Sequence, residues 1–113
     1  MHEMSLMESV VALVEDERHK QKFSRVLSVR LAVGVLGHVE PEALRFCFEA
    51  VTRGTIADGA RLEIEEVLGE GWCSGCRQTV SLRERFAECP RCGDTRVRMI
   101  AGGELRLSEL EVE

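Results

Sequence analysis

The residues of this 113-residue chain that can do chemistry are five cysteines and a histidine beside the first residue. Four of the cysteines form two Cys-x-x-Cys pairs, Cys73-Ser-Gly-Cys76 and Cys89-Pro-Arg-Cys92, a dozen residues apart. That is the ligand spacing of a tetrahedral four-cysteine zinc site. Thiolates are soft donors that suit Zn(II). Four of them close its coordination shell and leave no position for water or substrate, so such a zinc is structural. Gly75 and Gly93 are read as the residues that tolerate positive φ in the two turns. A redox Cys-x-x-Cys normally stands singly beside a βαβ pattern, and no such pattern is read here. Cys47 is left over and falls on an apolar helical stripe, where core packing is its expected role.

The second group is Met1-His2-Glu3. A terminal amine, an imidazole and deprotonated backbone amides form a planar, nitrogen-rich chelate that selects Ni(II) or Cu(II) over zinc. The Met1 amine, the His2 amide, His2 Nδ1 and the Glu3 amide would be the four donors. By itself this motif is weak, because many chains carry a histidine near the start. His19 is expected in the polar last turn of a helix, and His38 in a Gly-flanked surface loop.

Length and composition bound the rest. The chain suffices for one ordinary domain, or for a small core plus a metal-held module. No apolar run is long enough to span a bilayer, and the acidic Met-His-Glu-Met-Ser start is unlike a signal peptide. A cytoplasmic location, where thiols stay reduced, is therefore expected. The net charge of −5 argues against nucleic-acid binding. A local cluster of Arg77, Arg83, Arg85, Arg91, Arg96 and Arg98 is diluted by Glu84, Glu88 and Asp94, and reads as a solvated surface of mixed sign.

The elements that must position these groups follow from periodicity. Ser5 and Glu8 form a capping-box pattern, which predicts a helix from Ser5 to about Lys20 with Leu6, Val10, Leu13 and Val14 on its apolar face. Leu27, Val29, Leu31 and Val33 alternate with smaller or polar residues, as in a half-buried strand. Glu40-Pro41 opens a second helix with the stripe Leu44, Cys47, Phe48 and Val51, and Gly54 stops it. Leu62 to Val67 predicts a strand, Val97 and Met99 a return strand, and Leu105 to Val112 a last strand. The expected fold is α+β, two helices packed on a small mixed β-sheet, with an inserted four-cysteine zinc-ribbon-like module. The expected domains are 1–68 with 104–113 for the α+β part and 69–103 for the insert.

Taken together, these residues resemble the HypA/HybF family of nickel-insertion accessory proteins of hydrogenase maturation. The resemblance rests on Met1-His2-Glu3 with Ser5 and Leu6, Val33-Gly34, Val39-Glu40 ahead of Leu44, Phe46 and Phe48, Gly59-Ala60 with Leu62, Ile64 and Glu65, the four cysteines, and Glu104-Leu105 with Glu109, Glu111 and Val112. It spans nearly the whole chain. Asp94 departs from it, since many members carry serine after Cys-Gly. The resemblance implies a metallochaperone, not an enzyme. It implies weak Ni(II) binding through Met1, His2 and Glu3, and tight Zn(II) binding through Cys73, Cys76, Cys89 and Cys92. Its implied partners are a hydrogenase-maturation GTPase of the HypB type and a nickel-iron hydrogenase large-subunit precursor, with urease as a second client in some members. The competing reading is a zinc-ribbon module that binds nucleic acid or a transcription complex. That reading needs a basic face and assigns Met1-His2 no task. A thiol redox switch would have only Cys47 outside the zinc shell.

Overall fold

A computed structural model describes residues 2–113, with side chains from Glu3 onward. The chain divides into two compact units. Unit 1 holds the chain up to Leu31, Val39–Ile64 and Leu107–Glu113; unit 2 holds Ala32–His38 and Glu65–Arg106.

In unit 1, helix α1 runs from His2 to Gln21. It starts a turn earlier than the capping-box pattern predicts, so Ser5 and Glu8 lie inside the helix. The reason is the inward stripe. Met7, Val10 and Val14 are buried at i, i+3 and i+7, and Glu3 continues that row one turn back, partly buried. A carboxylate on the inner row hides the first turn from a reading based on apolar spacing. Leu13, expected on the buried face, is 49% exposed. Arg18, His19 and Lys20 occupy the last turn, where cations suit the macrodipole.

Strand β1 (Val26–Gly34) follows, with Val29, Leu31 and Val33 buried as the alternation predicts; Leu27 is only partly buried, and Ser28 and Ala32, expected outward, are buried too, because β1 is the central strand of its sheet. Helix α2 (Pro41–Thr52) carries Pro41 in its first turn, where a missing N–H costs nothing. Leu44, Cys47 and Phe48 are buried on it, and α1 packs against α2. Fully burying a side chain such as Leu44 contributes about 1.5–3 kcal/mol. The Thr52 hydroxyl donates to the Phe48 carbonyl (2.7 Å), and Gly54 at φ 76° ends the helix.

Strand β2 (Arg61–Val67) and strand β6 (Leu105–Val112) flank β1 in the order β2-β1-β6. Arg30 meets Glu63, while Ser28 and Arg61 share Glu111, so β1 and β2 rise together and are parallel. Gly34 pairs with Glu104 at one end of β1 and Arg25 with Glu113 at the other, so β6 is antiparallel to β1. The sheet is therefore mixed, as expected. Its β1-α2-β2 crossover is the βαβ unit that the sequence reading did not find. Both cysteine pairs lie outside it.

Unit 2 carries a second three-stranded sheet of β3 (Gly69–Cys73), β4 (Gln78–Leu82) and β5 (Val97–Ala101), in the order β4-β3-β5 and antiparallel throughout. Its core is Leu36, Cys73, Val80, Leu82 and Cys89, with Val35, Cys76, Ala87 and Val97 packed against it. Leu36 comes from a short 3₁₀ helix, Val35–Gly37, that follows β1. Among the described residues, no helix is long and apolar enough to cross a membrane.

Candidate metal centre

Two knuckles of the same build present the four cysteines. Cys73 ends β3 and the chain turns through Ser74, Gly75 and Cys76 into β4; Cys89 to Cys92 turn between β4 and β5. The Arg77 amide donates to the Cys73 carbonyl (2.8 Å), and the Gly93 amide donates to the Cys89 carbonyl (2.9 Å). Arg77 and Gly93 therefore hold equivalent places, and both have positive φ, 55° and 78°. Gly93 fills its expected role. Gly75 is not among the positive-φ residues; the left-handed position of the first knuckle is Arg77, one residue past the second cysteine. Amides also converge on sulfur: Cys76 N–H on Cys73 Sγ (3.5 Å), and Arg91 and Cys92 N–H on Cys89 Sγ (both 3.4 Å).

The two knuckles bring all four sulfurs within 4.8 Å of one another. Cys73 Sγ lies 3.6 Å from Cys92 Sγ, and Cys76 Sγ 3.8 Å from Cys89 Sγ. A disulfide needs about 2 Å, so all are free thiols. Four sulfurs about 2.3 Å from one tetrahedral cation would be about 3.8 Å apart, so the spacing fits zinc. The donors are not equivalent. Burial, with the neighbouring thiols, pushes Cys76 up to about 12, while the Cys92 and Arg91 amides hold Cys89 down at about 6 against its burial. Without a cation four thiolates at this distance repel one another. A divalent ion removes that repulsion and displaces protons as it binds.

Several surrounding groups were not singled out by their spacing. Asp94 accepts from the Arg96 backbone amide (2.8 Å), Nε (3.1 Å) and Nη2 (2.8 Å). Arg96 holds the Asp94 carboxyl down at about 2. Arg85 Nε donates to the Leu36 carbonyl (2.7 Å), and Arg91 to Gln78. Three arginines of the cluster thus have partners inside unit 2, which weakens its case as a phosphate-binding face. The Asp-x-Arg spacing after the second pair was the available signal, and the mixed charge of the stretch masked it.

Of the terminal group, Met1 and the His2 side chain lie outside the described residues. The His2 backbone opens α1, and Glu3 sits partly buried in its first turn. His38 follows the 3₁₀ helix in a left-handed conformation. Cys47 is fully buried on α2, in unit 1, whereas the four clustered cysteines belong to unit 2.

Fold and centre together define a class: a small α+β protein of two helices and two three-stranded sheets, carrying a ribbon-like four-cysteine metal centre. Residues 1–112 match the family described as "Hydrogenase/urease nickel incorporation, metallochaperone, hypA". The hydrogenase maturation factor HypA of Methylocella silvestris is 72% identical over the full length of both chains, and that of Rhizobium leguminosarum bv. viciae is 57% identical over 99% of each. The solution structure of the Ni metallochaperone HypA from Helicobacter pylori superposes with a TM-score of 0.69 at 22% identity, covering 97% of this chain and 96% of that one. The chain belongs to the HypA family of hydrogenase maturation metallochaperones.

Proposed function

We propose that this protein carries one Ni(II) ion as cargo on Met1, His2 and Glu3, and holds one structural Zn(II) ion with Cys73, Cys76, Cys89 and Cys92. The nickel is destined for the large-subunit precursor of a nickel-iron hydrogenase, with urease as a further client class, and a GTPase of the HypB type works alongside. The protein acts in the cytoplasm and is not an enzyme. Residues 1–68 and 104–113 serve as the nickel-bearing domain, and 69–103 as the zinc-bearing insert.

One observation supports the nickel reading most directly: α1 begins at His2. The first amides of a helix have no intrahelical acceptor, so the His2 and Glu3 amides are free to give up their protons to a metal. The positive end of the helix dipole opposes a bound cation, and deprotonated amides offset that. The zinc reading is supported by the sulfur spacing, 3.6 and 3.8 Å across the two pairs. Zinc when bound would cross-link the two knuckles, and backbone N–H groups orient the Cys73 and Cys89 sulfurs toward it. Calorimetry with Ni(II) on untagged protein, on an N-terminally extended form and on His2→Ala tests the cargo site. Binding at full affinity by either altered form would place it elsewhere, with His38 and Glu40 next in line.

A further inference from the structure

Asp94 and Arg96 lie just past the last cysteine, yet they touch both knuckles. The Asp94 carbonyl accepts from the Cys89 amide (2.9 Å), and its own amide faces the Cys92 sulfur, so its main chain belongs to the second knuckle. Its side chain crosses to the first. A Cβ built on Gly75 would lie 2.8 Å from the Asp94 Cβ and Cγ. Gly75 is therefore a glycine because Asp94 occupies the space of its side chain. Arg96 repeats the crossing, since its carbonyl accepts from the Ser74 amide (3.0 Å). Two residues of one strand entry thus tie the middle of one knuckle to the flank of the other.

The side chains close the link. Asp94 grips the guanidinium through both carboxylate oxygens, at 3.1 and 2.8 Å, and takes the Arg96 amide as well. This bidentate geometry fixes where the guanidinium points. A four-thiolate zinc centre carries net negative charge, and groups just outside the ligands tune how strongly such a centre is held.

We infer that Asp94 and Arg96 are the positioning pair of the metal centre: together they hold the two knuckles in register, slowing metal release. This rests on the zinc reading proposed above. It also gives the non-serine residue at 94 a task, because a serine could not span to Arg96 with two oxygens. The two members are not equivalent. Losing Asp94 leaves Arg96 untethered. Losing Arg96 leaves the Asp94 carboxylate, packed over Gly75, without its guanidinium partner, which is worse than losing both.

The test is a double-mutant cycle on the full-length zinc-loaded protein. Zinc release to an excess of chelator is followed for wild type, Asp94→Ser, Arg96→Gln and the double variant, with Arg96→Lys as the conservative control. Helical circular dichroism verifies that α1 and α2 persist. The expected order is fastest release from Arg96→Gln, about tenfold over wild type, an intermediate rate from the double variant, and partial rescue by lysine. The thiolate-to-metal charge-transfer band of the Co(II)-loaded form, which reports how the four sulfurs are arranged, should move in Arg96→Gln and return toward wild type in Arg96→Lys. Wild-type rates and an unmoved band in every variant, on a wild-type chain that holds one zinc, would overturn this inference alone. A wild-type chain without stoichiometric zinc would overturn the zinc reading and this one with it.

Discussion

Leu36 fills the space that a side chain on Gly69 would need: a Cβ there would collide with the Leu36 side chain. The two residues are far apart in sequence, one between β1 and α2 and the other at the start of β3. Leu36 is 1% exposed and stands in the same core as Cys73 and Cys89. The cysteine module therefore does not rest on metal alone, because a residue from outside the 69–103 stretch plugs its core.

Leu36→Ala should accordingly weaken zinc retention without touching a ligand. Truncating a fully buried leucine costs about 2–5 kcal/mol. Thermal unfolding of the zinc-loaded protein should show a lowered transition, and a chelator should remove the metal faster. Gly69→Ala should do the same by displacing Leu36. If both variants keep wild-type zinc retention, the plug is not coupled to the centre.

Cys73→Ser and Cys92→Ser each leave three thiolates and an open site. Zinc content should fall well below one per chain, and unit 2 should lose its order, because a metal that binds only the folded module adds its binding free energy to folding. Unit 1 has its own buried set on α1, β1 and α2, so helical circular dichroism should stay near wild type. Metal analysis on the same samples provides the check; full zinc in both variants would exclude the four-cysteine assignment.

Nickel affinity should rise with pH. Each backbone amide that binds must first lose a proton, so binding releases protons and higher pH favours the complex. Glu3→Gln should alter affinity little, because its proposed donor is the main-chain nitrogen, whereas acetylation of Met1 removes a basic donor and should abolish the site. Titrations at several pH values, read by calorimetry in buffers of different ionisation enthalpy, count the protons released. A pH-independent affinity would rule out amide ligation.

Cys47→Ala should leave zinc stoichiometry unchanged. The residue is 0% exposed on α2 and lies in unit 1. Its expected cost is about 1–2 kcal/mol of stability from lost packing, read as a lower midpoint in denaturant. A loss of zinc instead would mean that the fifth cysteine participates in the centre.

What the sequence by itself determined are features whose physics is local. The Cys-x-x-Cys spacing encodes a turn whose amides meet a sulfur three residues back, so the pairing of Cys73 with Cys76 and of Cys89 with Cys92 was legible. Pro41 at a helix start, Gly54 at its end and the alternation through Val29, Leu31 and Val33 obey the same short-range rules. The start of α1 was misplaced because Glu3, a carboxylate, continues the inward row of Met7, Val10 and Val14, and a reading of apolar spacing stops short of it. Strand β3 was missed because its two glycines carry little strand propensity, and β4 because its five residues fall in the stretch read as the spacer between the two cysteine pairs. These glycines are used for close approach, Gly69 to Leu36 and Gly71 to Leu82 and Val97. Only the tertiary structure decided those approaches, the packing of Asp94 over Gly75, and the placing of Leu36 in the core of unit 2. Such contacts join residues distant along the chain, and their free energy depends on which surfaces the fold brings together. A one-dimensional pattern carries the ligands of the centre, but it does not carry the neighbours that hold them.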